Sequence, residues 1–285
     1  MNLFRPFLSR ILLRLVRIYP CYKGRGRIAL SMIRPGKNYR LQVAKLLTGQ
    51  SIYIYTNDYV GAMIRLFGDL DPCITRFILN NIFEGDIFVD VGANLGVVTL
   101  PASSKVGGRG KVYAVEPNNN ISNILEKSVN LNNFSNVNII NLAVSDFQGK
   151  LELYIPHHSF GQASLERGGG TPQSCNVTTL DRLLPKEKVR LLKVDVEGHE
   201  HKVLMGGLNF LRDNDVDIIV FESHLARGSF PNREEVILLL GLNYTIYELR
   251  RGFMCKPVIF STNMPAYTPK SADFIGVKPG VKLFL

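Results

Sequence analysis

The residues best suited to chemistry lie in Ile87-Phe88-Val89-Asp90-Val91-Gly92-Ala93-Asn94-Leu95-Gly96. The apolar, β-branched first half reads as a buried parallel strand, and the glycines then open a helix. Small residues let the backbone approach a ligand, and the first turn of a helix leaves N–H groups to bind it. Asp90 closes this strand. Glu116 closes the next, Lys111-Val112-Tyr113-Ala114-Val115-Glu116, about twenty residues past Gly96, where a nucleoside ribose is commonly gripped. The spacing is Gly-x-x-x-Gly and not Gly-x-Gly-x-x-Gly, so a nucleoside without a pyrophosphate fits better than a dinucleotide. S-adenosylmethionine (SAM) is the leading candidate, beside another nucleotide or tight packing alone.

Other polar residues recur at strand ends, where open parallel sheets bind ligands. Asp90, Glu116, Asp146, Asp195 and Glu222 form that series. The amino group, ribose hydroxyls and adenine N6 of SAM all require acceptors, and carboxylates only accept. Asp90, Glu116 and Asp146 meet those needs in that order. Helix capping explains any one of them, and the series poorly. Asp195 and Glu197 stand two apart at the end of a fourth strand, as do Glu222 and His224 at the end of a fifth. If those strands are neighbours, four ionisable groups converge where a general base for an acceptor hydroxyl belongs. His224 has the best-suited unperturbed pKa, whereas Asp195 and Glu197 have the better-supported position. A zinc site fails on spacing: His199-Glu200-His201 would need a histidine at position 203, which is Val203. A carboxylate-bound Mg²⁺ at Asp195, Glu197 and Glu222 is a lesser alternative, and the reading includes no metal.

The elements that must position these groups alternate strand and helix from Asp86 onward, which means a parallel sheet covered on both faces. Strands are expected at 137–145, 151–155, 176–180, 189–196 and 217–221, with helices at 97–106, 119–130 and 233–240. Asp181 is expected to cap a short helix. Pro101 predicts a kink or a shortened first turn. Strands at 244–249 and 274–277 close the chain as an antiparallel pair. The glycine-rich segment 157–173 reads as a mobile rim or an idle surface loop. Before the sheet, a hairpin at 39–55 and helices at 60–66 and 72–83 make a preface that could cap a substrate pocket.

Of 34 basic residues, eleven precede the first acidic one, Asp58. They account for the whole net charge of +10. Residues 3–18 read as a helix with Arg10, Arg14 and Arg17 on one face: an interfacial helix drawn to anionic lipid, or one packed on its own domain. No aromatic-rich basic strand accompanies it, so no nucleic acid is expected. The four cysteines form no Cys-x-x-Cys pair, which points to a reducing cytoplasm, with peripheral membrane contact as an addition. No run is apolar for long enough to span a bilayer.

Phe88 to Gly96, Tyr113-Ala114-Val115-Glu116-Pro117, Asn130-Leu131-Asn132, Ala143-Val144-Ser145-Asp146, Thr179-Leu180-Asp181 and Leu192 to Glu200, in this order, resemble the FkbM-type family of SAM-dependent methyltransferases. The resemblance covers about 68–224 and implies the class I fold: α/β, Rossmann-like, a seven-stranded, mostly parallel sheet with one antiparallel strand. It also implies SAM bound by Asp90 to Gly96 (including Gly92, Ala93, Asn94) and Glu116, and methylation of a hydroxyl. Leu70-Asp71-Pro72 departs from the family's usual aromatic-Glu-Pro, leaving the role of Asp71 open. The expected organisation is a basic helical and hairpin extension, 1–70, before a methyltransferase domain, 71–285. The acceptor is expected to be a small molecule, sugar or glycan. The rivals are a non-catalytic nucleotide- or membrane-surface-binding protein and an NAD-dependent oxidoreductase, the latter disfavoured by the glycine spacing.

Overall fold

The computed structural model describes residues 23–33, 39–156, 165, 170–184, 187–213, 216–223, 230–262 and 267–285. The expected basic helix at 3–18, His224 and most of the glycine-rich 157–173 lie outside these residues.

Its centre is an eight-stranded sheet. Five strands run parallel: β3 (Ile87–Val91), β4 (Lys111–Val115), β5 (Val137–Ile140), β9 (Leu191–Val194) and β10 (Ile218–Glu222). Three more complete one side, β11 (Thr245–Arg251), β12 (Pro257–Ser261) and β13 (Asp273–Val277), in the spatial order β12-β11-β13-β10-β9-β3-β4-β5. β13 is antiparallel to both β10 and β11, as the closing pair was expected to be. The expected seven strands are therefore eight. The added β12 pairs antiparallel with β11. It starts at Pro257, which an edge strand tolerates in its first position, and its side chains alternate too weakly to announce it.

Alternation along the central strands makes two cores. Val89, Val91, Val115, Leu192, Val194, Ile219 and Phe221 face one cluster. That cluster is covered by α7 (Glu200–Met205), α8 (Leu208–Asp213) and α9 (Glu234–Gly241). Phe88, Val112, Leu191, Ile218 and Val220 face the other, covered by α3 (Pro72–Asn81) and α4 (Thr99–Val106). Each such side chain contributes about 1.5–3 kcal/mol by leaving water. Pro101 is the third residue of α4, where its missing N–H has no intrahelical partner to lose. The helix starts late and needs no kink.

The expected third strand, 137–145, divides. β5 ends at Ile140, and β6 (Ala143–Val144) joins β7 (Gly149–Ile155) and β8 (Thr171–Thr178) in a separate small sheet. The short helix α6 (Leu180–Leu183) holds Asp181 in its first turn. Asp181 does not cap that helix. Its carboxylate accepts from the Phe210 N–H, 2.6 Å, at the start of α8.

Ahead of the sheet, α1 (Arg25–Met32) packs on α2 (Tyr59–Phe67). The hairpin of β1 (Leu41–Lys45) and β2 (Ser51–Tyr55) is docked on α5 (Asn119–Leu131). Asn132 accepts from Ser51 N–H at 2.9 Å and donates to Ser51 O at 2.6 Å. Ser128 Oγ accepts from Tyr53 N–H.

Candidate active site

A cavity of about 230 Å³ opens at the carboxyl ends of β3, β4 and β9. Its floor is the turn after β3, where Val91, Gly92, Ala93 and Asn94 all line it. Gly92 has φ 84°, and a β-carbon there would overlap the Asp195 carbonyl oxygen. Only glycine permits β3 and β9 to stay this close beyond their last pair. Gly96 is different. It lies outside the cavity wall, and a β-carbon on it would meet the Leu125 side chain. It belongs to the packing of the turn on α5, which corrects its expected place against the ligand.

Glu116 is buried and lines the cavity from the end of β4. Its Oε2 accepts from Asn94 N–H and its Oε1 from Asn118 N–H, both at 2.9 Å. Burial pushes its carboxyl up to about 7, against these hydrogen bonds. A carboxylate has room for about four hydrogen bonds, so a rigidly aimed Glu116 keeps acceptor capacity toward a ligand.

Asp90 is 1% exposed and also lines the cavity. Thr99 Oγ1 donates to its Oδ2 at 2.7 Å, and Lys193 Nζ to its Oδ1 at 3.1 Å. Lys193 further contacts Asp195 Oδ2 at 3.3 Å and the Gly92 carbonyl at 3.4 Å. Burial works against the Lys193 ammonium, but the two carboxylates outweigh it and hold its pKa up. Lys193 was missed as a site residue. Its signal was a single charge within Leu191-Leu192-Lys193-Val194, a strand buried throughout.

Asp195 and Glu197 both line the cavity, just past the end of β9. Strand alternation does not bring them there, because Glu197 has left-handed backbone, φ 57°. β9 and β10 are parallel neighbours, which meets the condition on which the convergence of these groups depended. Glu222 ends β10 opposite Asp273 on β13. Burial pushes Glu222 up to about 8, and the Asp195 charge adds to it. Burial likewise pushes Asp273 up to about 6. Arg251 Nη2 lies 3.0 Å from Asp273, and its Nε donates to Asp71 at 2.7 Å. Asp71 is the N-cap of α3, accepting from Cys73 and Ile74 N–H, and it lines the cavity too. The open question of its role thus has a structural answer. Of the four expected catalytic positions, Asp195 and Glu197 line the cavity, Glu222 stands outside its wall within electrostatic reach of both, and His224 lies outside the described residues. Asp195, Glu197 and Glu222 make no metal-ligand group, nor does any other set among the described residues.

Asp146 is the clear correction. It is exposed, absent from the cavity wall, and its Oδ1 accepts from Ser145 Oγ. The chain leaves the main sheet at Ile140, so Asp146 follows β6 of the small sheet. That departure instead presents Leu142, Ala143 and Val144 to the cavity, beside Val115, Ile121, Leu153 and Leu165. The result is an apolar slot suited to a flat ring. Tyr59 and Val60 of α2, with Asp69 to Asp71, also line the cavity. The hairpin itself contributes nothing to the cavity wall, so it does not cap the pocket. Asp69, unrecognised in the sequence, is pushed up to about 7 by burial.

Among the described residues, six carboxylates (Asp69, Asp71, Asp90, Glu116, Asp195, Glu197) and one ammonium (Lys193) line the cavity. SAM, with a sulfonium, an ammonium and one carboxylate, is a net cation and fits this charge. A pyrophosphate does not.

The model of the methyltransferase FkbM domain matches residues 90–253. This chain belongs to the FkbM family of SAM-dependent methyltransferases. The FkbM match begins at Asp90 and takes in Glu116, Lys193, Asp195, Glu222 and Arg251. A stretch of 59 residues is 37% identical to the probable cobalt-precorrin-6B C(15)-methyltransferase (decarboxylating) of Sulfurisphaera tokodaii, covering 21% of this chain and 31% of that protein. The matched stretch thus spans about a third of that relative. Among solved structures, a SAM-dependent O-methyltransferase of Thermotoga maritima shows 15% identity at TM-score 0.45, covering 83% of this chain and 77% of that one. TYW2 of M. jannaschii, solved in complex with AdoMet, shows 14% identity at TM-score 0.47, covering 85% and 86%.

Proposed function

We propose that this FkbM protein binds SAM in the acid-lined cavity and transfers its methyl group to a hydroxyl of a small-molecule, sugar or glycan acceptor. The observation carrying this reading is the lining of six carboxylates and one ammonium beside an apolar slot, at the carboxyl ends of parallel strands. When bound, SAM supplies a methyl group on a cationic sulfur. Glu116 takes the ribose hydroxyls, and the slot at Leu142 to Val144 takes the adenine. Lys193 fixes Asp90, Asp195 and the Gly92 carbonyl, so the turn that carries Ala93 and Asn94 is held in place before the cofactor arrives. In-line attack on a methyl group depends mainly on alignment. Asp195 and Glu197 line the acceptor end. Glu222, whose carboxyl is pushed up to about 8 and which sits within electrostatic reach of Asp195, is suited to receive the hydroxyl proton once ionised. The same acids disfavour a phosphate-rich acceptor, which supports a neutral one.

Calorimetric titration of SAM, with NAD as comparator, tests the cofactor. Glu116→Ala should weaken SAM by about 1.5–3 kcal/mol, the worth of hydrogen bonds to a charged group. Affinity should rise by up to tenfold per pH unit below about 7, where the carboxyl ionises, and level off above it. Transfer from methyl-labelled SAM to glycan and small-molecule pools then tests the reaction. Absence of SAM binding would overturn the proposal. SAM binding without transfer to any acceptor would favour a non-catalytic binding protein.

A further inference from the structure

Register across the sheet places one exposed tip on the same side as the cavity mouth. Val91, Val194, Phe221, Phe274 and Glu248 stand side by side across five strands. β11 runs three residues past Glu248 to Arg251, about 10 Å at the usual strand rise. The turn into β12 therefore projects beyond the strand ends where the cavity opens. Its outermost residues are apolar: Phe253 is 79% exposed and Met254 49%. The tip is tied to the cavity rim. Arg76 Nη1 donates to the Met254 carbonyl at 2.7 Å, and Arg251 binds Asp71 of the cavity wall.

Two exposed cations flank this apolar tip. Lys256 and Arg76 are exposed. Burial pushes the Cys255 thiol up and the Asp71 charge adds to it, while the charges of Arg25, Arg76 and Arg251 act in the opposite sense. Arg25, buried at the start of α1, also lies within electrostatic reach of Cys255.

We propose that the β11–β12 tip inserts Phe253 and Met254 into an anionic lipid surface, holding the cavity mouth against it. Two exposed apolar side chains flanked by Lys256 and Arg76 match the interface of an anionic bilayer, where apolar burial and cation attraction act together. A protein partner would require a broad, complementary face. The docking stands independently of the methyl-transfer reading.

Flotation of the full chain with phosphatidylcholine vesicles, with and without phosphatidylglycerol, tests this. Binding is expected only with phosphatidylglycerol. Phe253→Ser/Met254→Ser should lose at least about tenfold in vesicle affinity, as for two apolar side chains withdrawn from the interface. Its thermal unfolding and SAM titration should match the unaltered chain. Lys256→Glu, on an exposed side chain, supplies a second variant and should also weaken vesicle binding. No binding to anionic vesicles would overturn the proposal. So would vesicle binding that neither variant reduces, or capture of single-stranded RNA with no vesicle binding.

Discussion

Lys193 decides more at the residue scale than its single charge suggests. It is the one cation among six carboxylates on the described cavity wall, and its partner Asp90 is 1% exposed. Removing one member of a buried pair leaves the other charge uncompensated, at a cost of about 3–5 kcal/mol. Lys193→Met should lower stability by that amount in urea titration and abolish SAM binding. Adding Asp90→Asn should recover part of the stability without restoring binding, because the turn carbonyl still lacks its donor. Glu116 was legible in the sequence because its location depends only on strand length. Lys193 was legible only as an anomaly, and its partners required the β3–β9 register.

Element by element, the cavity is assembled by how strands end. β3 carries Asp90 one residue before its end and β4 is followed directly by Glu116, so both carboxylates follow from local sequence. Asp146 does not, because a strand that reads as continuous leaves one sheet for another after Ile140. The hairpin shows the same limit. Its two strands were legible, yet its docking on α5 depends on Asn132 reaching 81 residues back to Ser51. Asn132→Ala should leave the main sheet intact and lower local hairpin stability by about 1–3 kcal/mol, the cost of unpaired backbone groups. Amide hydrogen exchange should then quicken at Ser51 and Tyr53 and not at Val89.

For the whole molecule, the density of buried acids makes stability depend on pH. Burial pushes the Glu222 carboxyl from its ordinary 4.5 up to about 8 in the folded protein, and those of Glu116 and Asp69 up to about 7. A raised carboxyl pKa means the folded state keeps protons that the unfolded chain has released. Its contribution is complete below about 4.5 and is lost as pH rises through about 8. The ligand-free protein should therefore lose stability across that window, measured as a falling melting temperature. Glu222→Gln should flatten the profile, most of all between pH 7 and 8. The unaltered chain should regain stability on binding the cationic cofactor, since a ligand that favours the charged acids offsets their repulsion.

The sequence by itself determined the alternating α/β order, the carboxylates Asp90 and Glu116 at the ends of β3 and β4, and the family. All of these rest on contacts close along the chain, or on periodicity that any buried strand must show. Tertiary structure alone decided the eighth strand, the split after β5, the Lys193 pairings and the joining of Asp71 to Arg251, 180 residues away. Those depend on which surfaces meet once the sheet has twisted and packed. No local preference specifies a partner that far along the chain.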